Sequence, residues 1–266
     1  MSIVVKHYAG FFSCFTIRLI EIIKYINLYK KLPIEVESSG LFTWYKLNNE
    51  DITFEYFEHY NKIQNININE HFLEPIHLHE NDQFIDYSLL EYKKIIPFIQ
   101  KYFTPNNNIN NIIKNIETKY NLDYGNICVL FYRGNDKNRE TLICSYDEYI
   151  EYANLILIKN KEIKFLIQSD ETEFIIFMTK LFPNNSFYFK DETRNMNKCT
   201  STTVDMVMYH LNNEFSKYYL GITIIMSKCH YIICGSGNCS HWIMYYRGNN
   251  NNVIQNLENK WIMNII

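Results

Sequence analysis

Three features of this 266-residue sequence predict an α/β fold in two halves. From about residue 126 to 246, short β-branched and aromatic runs alternate with helical patterns, the order of a parallel sheet with crossover helices. Residues 3–45 carry the same pattern once, as strand, helix and strand. The apolar run 126–132 (NICVLFY) ends abruptly in Arg133-Gly134-Asn135-Asp136-Lys137. Open parallel sheets meet their ligands at such carboxyl ends.

Taken in order, Ser2–Val5 reads as a strand and Ala9-Gly10 as a turn. Ser13 or Thr16 is placed to cap a helix whose apolar positions Ile17, Ile20, Ile23, Ile26 and Leu28 roughly follow the 3.6 period. Leu32–Val36 reads as the next strand. Residues 46–85 are polar, aromatic and aperiodic, with Asn and Ile alternating over 65–69, and predict no element. A helix is expected over 86–103, ending before Pro105. The Asn-rich stretch Asn106–Asn111 reads as a linker, with a short helix after it over 111–120. This places an N-terminal half at 1–120 and a C-terminal half at 121–250, with 251–266 packing back on the first.

In the second half, Ser145-x-x-Glu148 is a capping-box pattern, and its helix groups Tyr146, Ile150, Ala153 and Leu157. Strand 163–168 (IKFLIQ) leads to a helix that brings Phe174, Phe177, Met178 and Leu181 together. Strand 186–189 follows, then helical stretches over 201–212 and 216–227, the first using Val204, Val207, Met208 and Leu211. Strand 230–234 (HYIIC) runs into Gly235-Ser236-Gly237-Asn238 and a helix at about 239–246.

Composition narrows the function classes. Apolar residues make up 47% and charged residues 21%, as in a globular protein. The net charge is 26 − 29 = −3, which offers no electrostatic case for nucleic acid. No apolar run reaches the ~18 residues of a membrane span. Lys6 and His7 interrupt the order of a signal peptide, so a cytoplasmic location is expected. The seven cysteines (14, 128, 144, 199, 229, 234 and 239) include no C-x-x-C pair, which fits reduced thiols rather than a zinc site or a disulfide framework. His77-x-His79, beside Glu74 and Glu80, is a weak metal candidate that lacks further ligands at defined spacing. No Asp-x-Asp motif occurs, so no metal and no cofactor is expected.

A guanidinium fixed at a strand end, with Gly134 permitting close approach, suits a phosphate oxygen. The alternative is that Arg133 forms a salt bridge with Asp136 or Asp170 that holds the loop. Asp136 and Lys137 either serve that site or are solvated turn residues. The Gly235–Asn238 turn and the helix after it could present backbone N–H groups to an anion, with Ser236, Asn238 and Ser240 as added donors. Gly237 and Gly235 could equally serve only the geometry of the turn. Asp170 could line the cleft or cap the next helix, with Glu173 at the capping-box position. Glu140 is the candidate general base, and its rival reading is a solvated carboxylate.

The Arg133–Lys137 segment resembles the Arg-containing motif of α1,6-fucosyltransferases and their nodulation-type relatives, in which a strand ends in His-x-Arg-Arg-x-Asp-Lys or in Arg-Gly-x-Asp-Lys. The strand and turn HYIICGSGNCS (230–240) resemble the Ser-containing loop of that family, and Gln168-Ser169-Asp170-Glu171 its Ser/Thr-Asp-Asp strand end. Together these cover roughly residues 126–246. The resemblance implies a GT-B architecture, two Rossmann-like halves with a cleft between them, and inverting, metal-independent transfer of fucose from GDP-fucose to a glycan hydroxyl. By the same resemblance Arg133 contacts the β-phosphate, and a Glu four residues after the motif Lys is the base. Thr141 holds that position here, with Glu140 one residue before it. The family's guanine-reading His and Asp are replaced by Phe131 and Ile222, Asp205 being the nearest aspartate upstream. Two rivals stand beside this reading: another nucleotide sugar on the same fold, and a glycosyltransferase-like protein that binds glycan or nucleotide without catalysis. An unrelated dinucleotide enzyme is disfavoured, since no G-x-G-x-x-G follows the first strand.

Overall fold

The computed structural model describes residues 2–68 and 74–265; Asn69, the end of the Asn/Ile alternation, lies outside them. The chain begins with a β–α–β unit: β1 (Ser2–Lys6), α1 (Phe11–Tyr29) and β2 (Glu35–Gly40), with the two strands parallel. α1 starts at Phe11, so Ser13 and Thr16 lie inside it rather than capping it. Its first N–H is met from afar, by the Tyr45 hydroxyl at 2.8 Å from Phe11 N. β2 also starts later than expected, because its pairing begins at Ser2 opposite Glu35, beyond Pro33, which has no N–H to donate.

α2 (Tyr92–Tyr102) forms the later part of the helix expected over 86–103, whose first residues instead make a separate 3-10 turn, Tyr87–Leu89. The stretch read as a linker does not exist as one: α3 (Asn107–Lys119) occupies it, with Asn106 as its N-cap, accepting from Ile109 N at 3.0 Å. Asn is a poor helix former but a strong cap, so the composition that suggested a loop marks the start of the helix.

The second sheet holds β3 (Ile127–Tyr132), β4 (Lys164–Ser169), β5 (Ser186–Phe187), β6 (Tyr231–Gly235), β7 (Val253–Leu257) and β8 (Lys260–Asn264) in the order β5-β4-β3-β6-β7-β8. All neighbours are parallel except β7 and β8. Residues 253–264 thus extend this sheet, instead of packing back on the first half as expected for 251–266. They meet that half through Gln255, whose amide accepts from Tyr87 N and donates to Ile85 O.

Period 2 sorts β3 between two cores. Val129 and Phe131 face a large cluster with α1, α2, α3, α6 (Asn212–Lys228) and α7 (Asn238–Arg247). Leu130 and Tyr132 face a second cluster with α4 (Tyr146–Lys159) and α5 (Thr172–Leu181). Both bonds of the Ser145–Glu148 capping box form at the start of α4. α5 buries Phe174, Ile175 and Met178, leaving Phe177 and Leu181 exposed. The expected helix at 201–212 is a single turn, Val204–Val207, followed by a 3-10 turn. The large cluster is continuous across both halves: Trp242 of α7 packs against Phe15 of α1 and Phe103 at 5.2 and 4.7 Å. No described helix is long and apolar enough to cross a membrane.

Candidate functional site

The strand order fixes where a ligand would sit. The chain leaves β3 toward β4 and β5, then returns to place β6 on the other side of β3. The carboxyl ends of β3 and β6 therefore flank a topological switch point, the usual crevice of open α/β sheets. Arg133 follows β3, and the Ser236–Ser240 segment follows β6.

Arg133 donates through Nε to Asp170 Oδ2 at 3.0 Å, and its Nη1 lies 3.4 Å from the Tyr219 hydroxyl. Asp136 Oδ1 is 3.8 Å from Nη2. The salt bridges considered for this residue are thus formed, and its outer edge still lines the cleft. Asp170 does not cap α5; Glu171 is the N-cap residue. Both oxygens of Asp170 hold the motif instead, Oδ1 accepting Gly134 N at 3.0 Å. Glu171 is fully buried and accepts from Asn135 N at 3.2 Å and from the Tyr146 hydroxyl. Glycine is required at 134 because a Cβ there would run into Glu171 Oε2 and come within 2.8 Å of Tyr132. The close approach that Gly134 permits is therefore to a protein carboxylate.

Lys137 is nearly buried, with Nζ 2.6 Å from Glu140 Oε2, 3.4 Å from Gln83 Oε1 and over the Phe84 ring at 4.8 Å. Burial lowers its proton affinity, which the Glu140 pair partly restores. Burial raises that of Asp136, with Arg133 opposing, and Asp136 Oδ1 has no hydrogen-bond partner. Glu140 is half exposed and lines the cleft, but its carboxylate is tied to Lys137.

Across the cleft, Gly237 sits at φ 158°, a conformation that suits glycine, and Lys137 Nζ lies 3.1 Å from where its Cβ would be. The hydroxyls offered as donors are committed: Ser236 Oγ bonds Asn256 O at 2.8 Å and Ser240 Oγ bonds Gly235 O at 2.5 Å. Asn238 spans two segments of the first half, accepting from Thr16 Oγ1 at 2.7 Å and donating through Nδ2 to Gln83 Oε1 at 3.0 Å. The first bond closing α7 runs from His241 N to Gly237 O, so the N–H groups of Cys239 and Ser240 lie ahead of it with the positive end of the helix dipole.

Arg133, Asp136, Lys137, Glu140, Ser236, Gly237, Asn238 and Ser240 line one cleft of about 220 Å³. Asp170 stands behind Arg133 in a smaller adjoining cavity of about 40 Å³, which also takes in Phe131, Gln168, Arg194, Asp205 and Ile222. Tyr132, the last residue of β3, belongs to the opposite layer, stacked on Phe174 at 4.6 Å. The cleft brings two cations, Arg133 and Lys137, against three carboxylates, Asp136, Glu140 and Asp205. Asp205 is held by Arg194 and by the Tyr45 hydroxyl at 2.9 Å, and it walls both cavities. The sequence pointed to neither Gln83 nor Tyr219, nor to this role of Asp205. Gln83 lies in an aperiodic stretch, and the other two reach the cleft only through tertiary contacts. His77 and His79 are exposed, and among the described residues no group of three or more His, Cys, Asp or Glu is arranged to hold a metal. All seven cysteines are free thiols.

Among solved structures, the NodZ α1,6-fucosyltransferase soaked with GDP-fucose aligns over 99% of this chain and 99% of its own, at 11% identity and a TM-score of 0.57. The chain has that enzyme's fold. A NodZ structure co-crystallised with GDP aligns over 65% of this chain and 52% of its own, at 12% identity and a TM-score of 0.41. No protein-family profile and no curated protein sequence matches the chain. The NodZ fold is an α/β architecture dominated by parallel strands here, and the Arg133 cleft lies at its switch point.

Proposed function

We propose that this protein is a glycosyltransferase that holds a nucleoside-diphosphate sugar in the Arg133 cleft, with GDP-fucose as the first candidate donor and a glycan hydroxyl as acceptor. The observation that carries this reading is the convergence of Arg133 and the start of α7 on one cleft. The leaving diphosphate would gain charge-assisted bonds from the outer edge of Arg133 and from the N–H groups of Cys239 and Ser240. Such a site needs no divalent metal to offset the departing charge, and Asp170 keeps the guanidinium in place for it. Residues 1–120 supply the acceptor side. Inversion needs one carboxylate to take the acceptor proton as the hydroxyl attacks the anomeric carbon. Glu140 lines the cleft for this task once its bond to Lys137 gives way. That same 2.6 Å bond favours a second reading, a glycosyltransferase-like protein that binds its ligand without turning it over. Phe131 and Ile222 line the side cavity in place of the polar pair that reads guanine in the family pattern, so another nucleotide sugar is the rival donor.

The test is calorimetric titration with GDP, UDP, ADP and GDP-fucose in the presence of EDTA. Binding of GDP and GDP-fucose is expected, with a loss of ~10-fold or more for Arg133→Ala, the worth of a charge-assisted bond. Preference for another nucleotide would retain the fold-level reading and remove fucose. Binding of none would remove the donor site.

A further inference from the structure

Gln83 makes a pattern of contacts unusual for a neutral amide. Its Oε1 receives three donors at once: Asn238 N at 3.1 Å, Asn238 Nδ2 at 3.0 Å and Lys137 Nζ at 3.4 Å. A helix-start N–H, an amide and an ammonium converging on one oxygen is how proteins hold an oxyanion. A carbonyl oxygen offers only two lone pairs and no net charge in return. Phe84, the next residue, lies over Lys137 Nζ and completes its burial. Beside the same turn, Tyr87 is 1% exposed and its hydroxyl is flanked by Ser236, Gly237 and Ser240.

We propose that Gln83 is a plug in the anion subsite: its amide oxygen stands where a phosphate oxygen of the diphosphate belongs, and it must swing away for that group to bind. This rests on the donor-site reading above and adds to it a residue that competes with the ligand. The anchoring of the segment suits such a movement. Residues 85–87 are pinned by the buried Gln255 amide at 2.8 and 3.0 Å. The turn Glu80–Phe84 is tied on its outer side by exposed contacts, a Glu80–His7 pair at 3.8 Å and Asp82 with His79 N at 2.7 Å. Rotation of the Gln83 side chain frees both Asn238 donors and one side of Lys137 Nζ, which keeps its 2.6 Å bond to Glu140, without disturbing that pin. Apparent affinity is then reduced by the fraction of molecules in which the plug is out.

The experiment is titration of the full chain with inorganic pyrophosphate and, separately, GDP, using wild type, Gln83→Ala and Gln83→Glu. If Gln83 is a plug, Gln83→Ala binds pyrophosphate about tenfold tighter than wild type. Gln83→Glu binds it about tenfold more weakly, since a carboxylate holds Lys137 harder and repels the ligand. A residue that only caps α7 predicts another order: weaker binding in Gln83→Ala and near-wild-type binding in Gln83→Glu. That order would overturn the proposal, as would pyrophosphate binding to none of the three. The GDP arm separates this from the donor reading. GDP binding that ignores position 83 removes the plug and keeps the donor site. Pyrophosphate binding tightened by Gln83→Ala, with no nucleotide bound, keeps the plug and removes the nucleotide.

Discussion

Arg133 meets the cleft with one edge already bound to Asp170, and Lys137 meets it bound to Glu140. The sequence made both residues visible, because a buried strand that ends in charge is a local pattern. Their partners were legible only as alternatives, since an ion pair across 37 residues depends on the strand register that brings β4 beside β3. His241 is a clearer case of what sequence hides. It lies on α7, behind the cleft, fully buried with no hydrogen-bond partner for either ring nitrogen. Burial brings its pKa down from 6.5 to about 3. As pH falls through 6.5 the unfolded chain takes up a proton that the folded chain refuses. Stability present above pH 6.5 is thus lost on the way down to about pH 3. From pH 7.5 to 5.5 this one group should cost about 1.4 kcal/mol. Urea unfolding at the two pH values should show that fall in wild type and a smaller one in His241→Leu. Equal falls in both proteins would assign the pH response to other groups.

Helix starts divide by where the cap comes from. The Ser145–Glu148 box is contiguous in sequence, and it was read correctly. The starts of α1 and α7 are met by Tyr45 and Gln83, which lie 34 and 155 residues away, and nothing in the local sequence marks them. α3 is intermediate: its cap is local, but the Asn-rich composition around Asn106 disguised it as a loop. Asn106 also donates to Phe54 O at 2.9 Å, tying the cap to the first half. Asn106→Ala should therefore lose about 1 kcal/mol or slightly more. Asn108→Ala, on the exposed face of the same helix, should be neutral or gain a few tenths. Chemical denaturation of the two variants side by side checks this, and equal effects would contradict the capping argument.

At the scale of the whole molecule, the parallel sheet and its crossover helices were legible because buried β-branched runs and capped helices repeat at short range. The fate of residues 251–266 was not, since β7 and β8 gain their meaning only beside β6. Nor did the sequence reveal that both halves share one core, through Phe15, Phe103 and Trp242. Two of the three tryptophans report from opposite ends of this arrangement, Trp44 near the cleft rim of the first half and Trp261 on β8. Trp44→Phe and Trp261→Phe variants, each keeping Trp242 in the shared core, should lose their folded fluorescence at the same urea concentration. Two separated midpoints would mean that the halves unfold independently.

The shared core also decides how the cleft can breathe. Rotating one half away from the other would draw Trp242 out of its contacts with Phe15 and Phe103 and break its Nε1 bond to Thr16 at 3.0 Å. Uncovering an aromatic side chain of that size is worth several kcal/mol, on the order of what a Trp→Ala substitution removes. A hinge between the halves is therefore the expensive way in. Traffic through the site falls instead to the short segments on its rim, whose motions run on the order of nanoseconds to microseconds, ahead of the micro- to millisecond swings of whole domains.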